Sequence, residues 1–310
     1  MTEDVLQDIS STGKVRPWRE HKMHNELLAL AYDEVNPDKA ARLRTCATEL
    51  GFVRTADGKL KLDSAWFCRV RLCPMCGWRK SLKVGAQMTQ IMDAIKADRK
   101  LAYILVTFTV ANCQPDELDA TLTKMLHGFN NMTKRKAVKA ATHGYYRGME
   151  ITHNIDSDTY HPHIHAVFAV NLSYFTNVDY LAQYRWTELW RTSINASYNP
   201  VVDVRRVKGD TAKAVAEVAK YAVKSSDYII PDDWNLTVDT VRLLDAVLNN
   251  RRFVAFGGIF ADYHRKLHLD DAEDGDLIHT DDSEADTETA PKVAFVWHTG
   301  YRQYQGEPLK

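Results

Sequence analysis

Hydrophobic positions along the 310-residue chain change period several times, and each change marks an element. Leu27, Leu28, Leu30, Ala31 and Val35 recur at helical spacing, so about the first 40 residues read as helix, with a loop at Asn36-Pro37-Asp38. A cysteine block from Cys46 to Cys76 follows, then a helical stretch to about Lys100. Leu101 to Val110 is rich in β-branched and aromatic residues and predicts a central strand; residues 115–141 return to helical period. Arg147–Thr152 and His163–Val170 predict two strands about the turn Asn154-Ile155-Asp156-Ser157-Asp158. An aromatic helix spans Tyr180–Ser193, with Leu181, Trp186, Leu189 and Trp190 near one face. A strand at Val201–Val207, a helix at Asp210–Lys224, a helix at Val238–Leu248 and a strand at Arg251–Gly258 complete the regular pattern. Val293–Trp297 reads as one more strand able to dock.

This order predicts an α+β fold, a mainly antiparallel central sheet with flanking helices, preceded by an N-terminal helical zinc-binding region. The expected divisions are 1–99 for the helical, cysteine-rich region, 100–268 for the sheet domain, 269–291 for an acidic flexible linker and 292–310 for a C-terminal tail. No Gly-x-Gly-x-x-Gly follows a strand and no Walker loop is present, which argues against a doubly wound nucleotide-binding fold. No apolar run approaches the roughly 20 residues that span a bilayer, and the N-terminus lacks a secretory pattern. The reading is therefore a cytoplasmic protein with no membrane partner, in which clustered cysteines hold metal more often than they form disulfides.

Charge refines the picture. Residues 270–290 hold ten Asp or Glu and no Lys or Arg, so the remainder carries 40 basic against 31 acidic side chains, +9 against −1 overall. A basic body with an acidic strip fits phosphate-backbone binding as well as it fits an ordinary domain with a solvated linker.

The candidate chemistry lies in three places. His163 and His165, one residue apart on a predicted strand, point the same way, while Ile164 points to the other face. Two neutral imidazoles can grip a divalent ion, Mn²⁺ or Mg²⁺ where a carboxylate and a phosphodiester take part. Glu150, on the neighbouring predicted strand, is the expected third ligand; His161 and His153 are rivals, ranked lower because Pro162 breaks regular pairing. Without a metal the imidazoles would be ordinary half-exposed strand residues.

The second place is Glu217, Tyr221 and Lys224, at i, i+4 and i+7 of one helix. A phenol is a weak nucleophile at neutral pH, so a catalytic tyrosine needs a cation nearby, which Lys224 supplies; Glu217 could serve as a general base. The bland alternative is an ion pair beside a packed aromatic, with Tyr228 the next candidate nucleophile. The third place is Cys46, Cys68, Cys73 and Cys76, whose Cys-x2-Cys pair suits tetrahedral Zn²⁺. Arg69, Arg71, Arg79, Lys80 and Lys83 around them suit a zinc knuckle lying against phosphates. Cys113 stands alone and reads as a packed thiol.

Taken together, Leu105-Val106-Thr107-Phe108-Thr109-Val110-Ala111-Asn112, His161-Pro162-His163-Ile164-His165 and Glu217-Val218-Ala219-Lys220-Tyr221-Ala222-Val223-Lys224 resemble the three motifs of the plasmid rolling-circle replication initiators. That family is the single-tyrosine Rep branch of the HUH endonuclease superfamily. The block from Phe67 to Cys76 resembles its amino-terminal region, and coverage runs from about Pro17 to Gly258. The resemblance implies a ferredoxin- or RRM-like core and a metal-dependent nickase acting at a plasmid double-strand origin. Tyr221 would join the 5′ phosphate, the free 3′ hydroxyl would prime a host polymerase alongside a host helicase, and Glu217 would activate water at termination. A homodimer is compatible with this, as are a transposase or relaxase using the same chemistry and a non-catalytic, zinc-dependent DNA-binding regulator. The acidic strip and the tail match no motif of the family.

Overall fold

The computed structural model describes residues 5–10, 13–207, 215, 219, 223–280 and 290–307. In chain order its elements are α1 (Trp18–Val35), α2 (Pro37–Thr45), β1 (Glu49–Arg54), β2 (Leu60–Ala65), α3 (Pro74–Asp98), β3 (Leu101–Thr109), α4 (Leu118–Thr133), α5 (Lys136–Ala141), β4 (Gly144–Asn154) and β5 (Thr159–Asn171). There follow α6 (Gln183–Ser193), β6 (Val202–Arg206), α7 (Trp234–Leu248), β7 (Val254–Gly258), α8 (Ile259–Lys266), β8 (Lys292–His298) and β9 (Gln303–Glu307). The class is α+β with two antiparallel sheets, as the sequence predicts. The chain forms two units, one from Met1–Lys83, Tyr228–Asn249 and Asp276–Lys310, the other from Val84–Asp227 and Asn250–Gly275.

The second unit is built on a five-stranded sheet in the order β6-β3-β5-β4-β7, every neighbouring pair antiparallel. Alternation along β5 divides its side chains between two apolar layers. Phe168 meets Phe129 of α4 and Trp186 of α6 on one face, and Phe108 of β3 joins the same aromatic cluster. Val167 and Ala169, on the opposite face, pack with Val84, Met88, Ile91 and Ile95 of α3, Phe260 of α8, and Val215 and Ala219. Each fully buried Val, Ile, Met or Phe side chain among these contributes roughly 1.5–3 kcal/mol by burial. His163 and His165 share the face of Val167, at the end of the strand beyond that apolar cover.

One expectation about β5 needs correcting. The strand does not break at Pro162, since Pro162 pairs with Ile151 and His161 with Thr152. The β3 ladder stops at the Thr109–His163 pair. At Pro162 the strand therefore has a regular partner on one side only, where a missing N–H is tolerated.

The first unit holds the sheet β2-β1-β8-β9. Its β1–β2 hairpin, within a stretch expected to be helical apart from its cysteines, pairs Val53 with Lys61 and Leu50 with Ala65 across a bulge at Gly51 and Phe52. The tail docks as a strand, Phe295 opposite Leu50, and continues into β9. Trp18 of α1 is buried, its Nε1–H donates to Asp8 Oδ2 at 2.7 Å, and its ring meets Trp78 edge-on at 4.7 Å. The Asn36-Pro37-Asp38 loop is one residue long: Asn36 caps α2 by accepting from Lys39 N, and Pro37 takes the first helical position, where its missing N–H costs nothing.

The acidic segment expected as a linker from residue 269 is folded where it is described. Glu273 is buried and its Oε1 accepts from Phe253 N and Val254 N at 2.5 and 2.9 Å; Asp271 accepts from Glu273 N and Asp274 N and pairs with Arg252. Asp276 caps the next turn through Ile278 N and His279 N, and Arg79 donates to Leu277 O and Ile278 O. These carboxylates satisfy backbone donors, a use that composition cannot distinguish from solvation.

Candidate metal centres

The first centre grows out of strand register. Glu150 of β4 lies directly opposite His163 of β5, and Gly148, with no side chain, lies opposite His165. Glu150 Oε2 is consequently 3.2 Å from His163 Nε2 and 3.3 Å from His165 Nε2. Ligand atoms of all three residues lie within 4.8 Å of one another. Glu150 is 4% exposed, and its second oxygen, Oε1, is 3.2 Å from the Lys224 ammonium.

The far nitrogens of the rings set the tautomers. His163 Nδ1 is 3.2 Å from His161 O, and a carbonyl can only accept, so Nδ1 carries a proton, which in the neutral ring leaves the lone pair on Nε2. His165 Nδ1 is 3.0 Å from Thr107 Oγ1 on β3, opposite it in register, and the same tautomer follows when the hydroxyl accepts. Two imidazole lone pairs and a carboxylate oxygen then face one point, an arrangement that a divalent cation resolves. Atoms about 2.1 Å from a shared octahedral ion are roughly 3.0 Å apart when adjacent, close to the spacing here. The mixed nitrogen and oxygen donor set is compatible with a divalent cation.

The rival ligands fall elsewhere. His161 shares the face, but its Nδ1 is 2.9 Å from Asn112 Oδ1 and the residue lies outside the cluster. His153, three residues from Glu150, points to the other face: it stacks on Tyr160 at 4.4 Å, Nε2 meets Asp158 Oδ1 at 2.8 Å and Nδ1 meets Asp227 O at 3.0 Å. Asp227 Oδ2 in turn accepts from Lys224 N at 3.3 Å. His153 thereby ties the turn after Lys224 to the strand that carries Glu150. Tyr221 and Glu217 lie outside the described residues. Tyr228 is 1% exposed and its hydroxyl donates to Leu72 O at 2.6 Å, which removes it as a nucleophile.

The second centre, in the first unit, is the cysteine cluster. Sγ of Cys46 is 3.7 Å from those of Cys73 and Cys76, and Cys68 is 3.7 Å from Cys76. Four thiolates about 2.3 Å from a tetrahedral zinc stand roughly 3.8 Å apart, so the donor set fits the ion. Arg69, at φ 56°, turns the chain so that Arg69 N donates to Cys76 Sγ and Val70 N to Cys68 Sγ. Burial alone would push the Cys73 thiol up, but hydrogen bonds from the neighbouring sulfurs and from Cys76 N–H bring it well below the ordinary thiol range. Cys113 is buried apart, its thiol donating to Tyr160 O.

Three supporting residues were not anticipated from the sequence. Asn25 Nδ2 donates to Cys73 Sγ at 3.3 Å, and Lys22, 1% exposed, donates to Arg44 O, Cys46 O and Thr48 Oγ1. Both lie on the buried stripe of α1 with Trp18 and Ala29, and a Lys and an Asn at those spacings were the available signal. Thr107 is the third, and its signal was its place beside the histidine strand. Thr107→Val keeps shape and removes the acceptor, and is expected to weaken Mn²⁺ binding about 10–100-fold by titration calorimetry, as losing a hydrogen bond behind a ligand does.

An antiparallel α+β unit with a Glu-His-His cluster on its central strands, joined to a unit with a four-cysteine cluster, defines a protein with two candidate metal centres. The chain belongs to the replication-protein family Rep_1, whose model matches residues 59–305, in agreement with the resemblance to plasmid replication initiators. It is 36% identical to the "Protein rep" of Bacillus amyloliquefaciens over 97% of this chain and 96% of that one. It is 34% identical to that of Streptococcus pneumoniae over 97% and 95% of the two chains, and 36% identical to that of Lactiplantibacillus plantarum over 97% and 98%. No solved structure matches the chain. No helix among the described residues is long and apolar enough to cross a membrane.

Proposed function

We propose that this replication initiator is a metal-dependent nickase and strand transferase that opens one strand of a plasmid origin and starts rolling-circle replication in the cytoplasm. The observation that carries the reading is the convergence of Glu150, His163 and His165 in register, with Lys224 on the far oxygen of Glu150 and Tyr221 three residues before Lys224. A divalent ion held by the three ligands supplies positive charge to the scissile phosphate as its charge grows.

Tyr221 attacks phosphorus through its phenolic oxygen. The bond from tyrosine to the 5′ phosphate forms as the bond to the 3′ oxygen breaks; the phenol gives up its proton and the 3′ oxygen gains one. One phosphodiester replaces another, so no external energy source is needed. The released 3′ hydroxyl then serves a host polymerase, with a host helicase opening the duplex. Glu217 takes a proton from water at termination, so that water in place of a second tyrosine cleaves the regenerated origin. Lys224 neutralises Glu150 and keeps its Oε2 turned to the imidazoles.

Incubation of the purified protein with supercoiled origin plasmid and Mn²⁺ tests this. Nicked circles carrying protein on the 5′ end are expected. Tyr221→Phe should bind origin DNA yet form no adduct, and Glu217→Ala should nick but accumulate unterminated product. Origin binding without any cleavage by the unaltered protein would leave a DNA-binding regulator instead.

A further inference from the structure

Residues 39–83 hold eleven Lys or Arg and three Asp or Glu, in a chain whose net charge is −1. The nickase centre uses none of these residues. Several are occupied locally, as Lys39 is by Asp245 and Lys59 by Asp57, and Arg79 is buried. The loop from Trp66 to Leu72 divides its side chains between the interior and the surface. Phe67, Cys68, Val70 and Leu72 point inward and are buried; Trp66, at 50% exposure, and Arg69 point outward, with Arg71 half-buried.

The loop is pinned from several directions within its own unit. Ala47 N donates to Trp66 O at 2.7 Å, Cys68 N donates to Cys46 Sγ at 3.4 Å, and Arg42, exposed on α2, donates to Cys68 O. Cys68 within the loop and Cys73 just after it belong to the four-sulfur cluster. The Trp66 indole and the Arg69 side chain are thus exposed on a backbone that has little freedom left to lose on binding.

We propose that Trp66, Arg69, Arg71 and Arg42 form a binding surface for single-stranded DNA, separate from the nickase centre. The indole stacks on an unpaired base, and the arginines contact phosphates along the strand. Single-stranded DNA is the occupant because a duplex keeps its base faces stacked within it, leaving a protruding indole without a partner of its own kind. The surface goes beyond the nickase reading and supplies a hold on the strand that opening an origin exposes.

The test uses the full chain carrying Tyr221→Phe, so that no cleavage intervenes, and anisotropy of a fluorescein-labelled oligo-dT of about ten nucleotides, within the usual footprint of such sites. Trp66→Ala is expected to weaken binding about tenfold, the loss of one base stack, and Trp66→Phe to restore most of it. Arg69→Ala with Arg71→Ala should lower the slope of log affinity against log salt by about 1.4, or about 0.7 per phosphate contact. Unchanged affinity and slope in variants with wild-type circular dichroism would overturn the proposal. So would equal losses on duplex DNA of the same length. In a His163→Ala, His165→Ala background the same Trp66 dependence should persist; if single-strand binding vanishes there, it belongs to the nickase centre and the proposal fails. A protein that never nicks leaves these readouts intact, so the two readings fail separately.

Discussion

His165→Ala is expected to reduce origin nicking in Mn²⁺ by about 10³-fold or more, with the fold preserved. His165 Nε2 is one of three electron-pair donors facing a single point, and the other two, His163 and Glu150, cannot close a site alone. Its ring is also held by Thr107, so no neighbouring histidine is placed to substitute: His161 is turned to Asn112 and His153 lies on the opposite face. Loss of a ligand should exceed the 10–100-fold cost in metal affinity typical of groups behind the ligands. Each factor of ten in rate corresponds to about 1.4 kcal/mol of transition-state stabilisation, and an ion on a scissile phosphate supplies several. The fold survives because Glu150 keeps its ion pair with Lys224, so no buried carboxylate is left uncompensated. Mn²⁺ titration and a plasmid nicking time course check both parts. Retention of more than a tenth of wild-type nicking would place the ion elsewhere.

Glu150 shows how much of this centre was legible in the sequence. A turn of five polar-rich residues between two β-type runs implies a hairpin, and a hairpin brings some residue of the first strand opposite His163. The one carboxylate in Gly148-Met149-Glu150-Ile151-Thr152 was the natural choice, and the register places it there. Thr107 was less visible because its contact runs from β3 to His165 on β5, 58 positions further along the chain, and long-range register is not encoded locally.

The cysteine region was legible in composition and illegible in form. Four thiols at that spacing imply a shared ion, but the β1–β2 hairpin between Cys46 and Cys68 has short strands, a bulge and charged residues that blur the period-two signal. Its partner β8 comes from the other end of the chain, so the sheet that stabilises it is absent from any local window. The folded part of the acidic segment, up to residue 280, was hidden for a related reason: Asp271, Glu273 and Asp276 serve particular N–H groups.

Cys73→Ser is expected to release zinc and unfold the first unit. Cys73 is 1% exposed, and its sulfur meets Cys46 at 3.7 Å and accepts from Asn25 and Cys76 N. A serine hydroxyl is shorter, harder and not ionised near neutral pH, so it cannot stand in for a thiolate on zinc. A structural zinc contributes about 10–16 kcal/mol to folding in small domains, comparable to or larger than the roughly 5–15 kcal/mol that separates most folded domains from unfolded chains. The surroundings deepen the loss. Lys22 is buried beside the cluster, its ammonium held below the ordinary value by burial and drawn back by the cysteine sulfurs; without thiolates and zinc, that balance fails. Wild-type protein should contain about one zinc per chain by elemental analysis, and Cys73→Ser close to none, with a matching loss of cooperative unfolding. Cys113→Ser is the control, because that thiol lies outside the four-sulfur cluster and donates to Tyr160 O, so the change should leave the zinc content unchanged. Full zinc retention in Cys73→Ser would mean that the four sulfurs, for all their tetrahedral spacing, are a packed cluster of thiols.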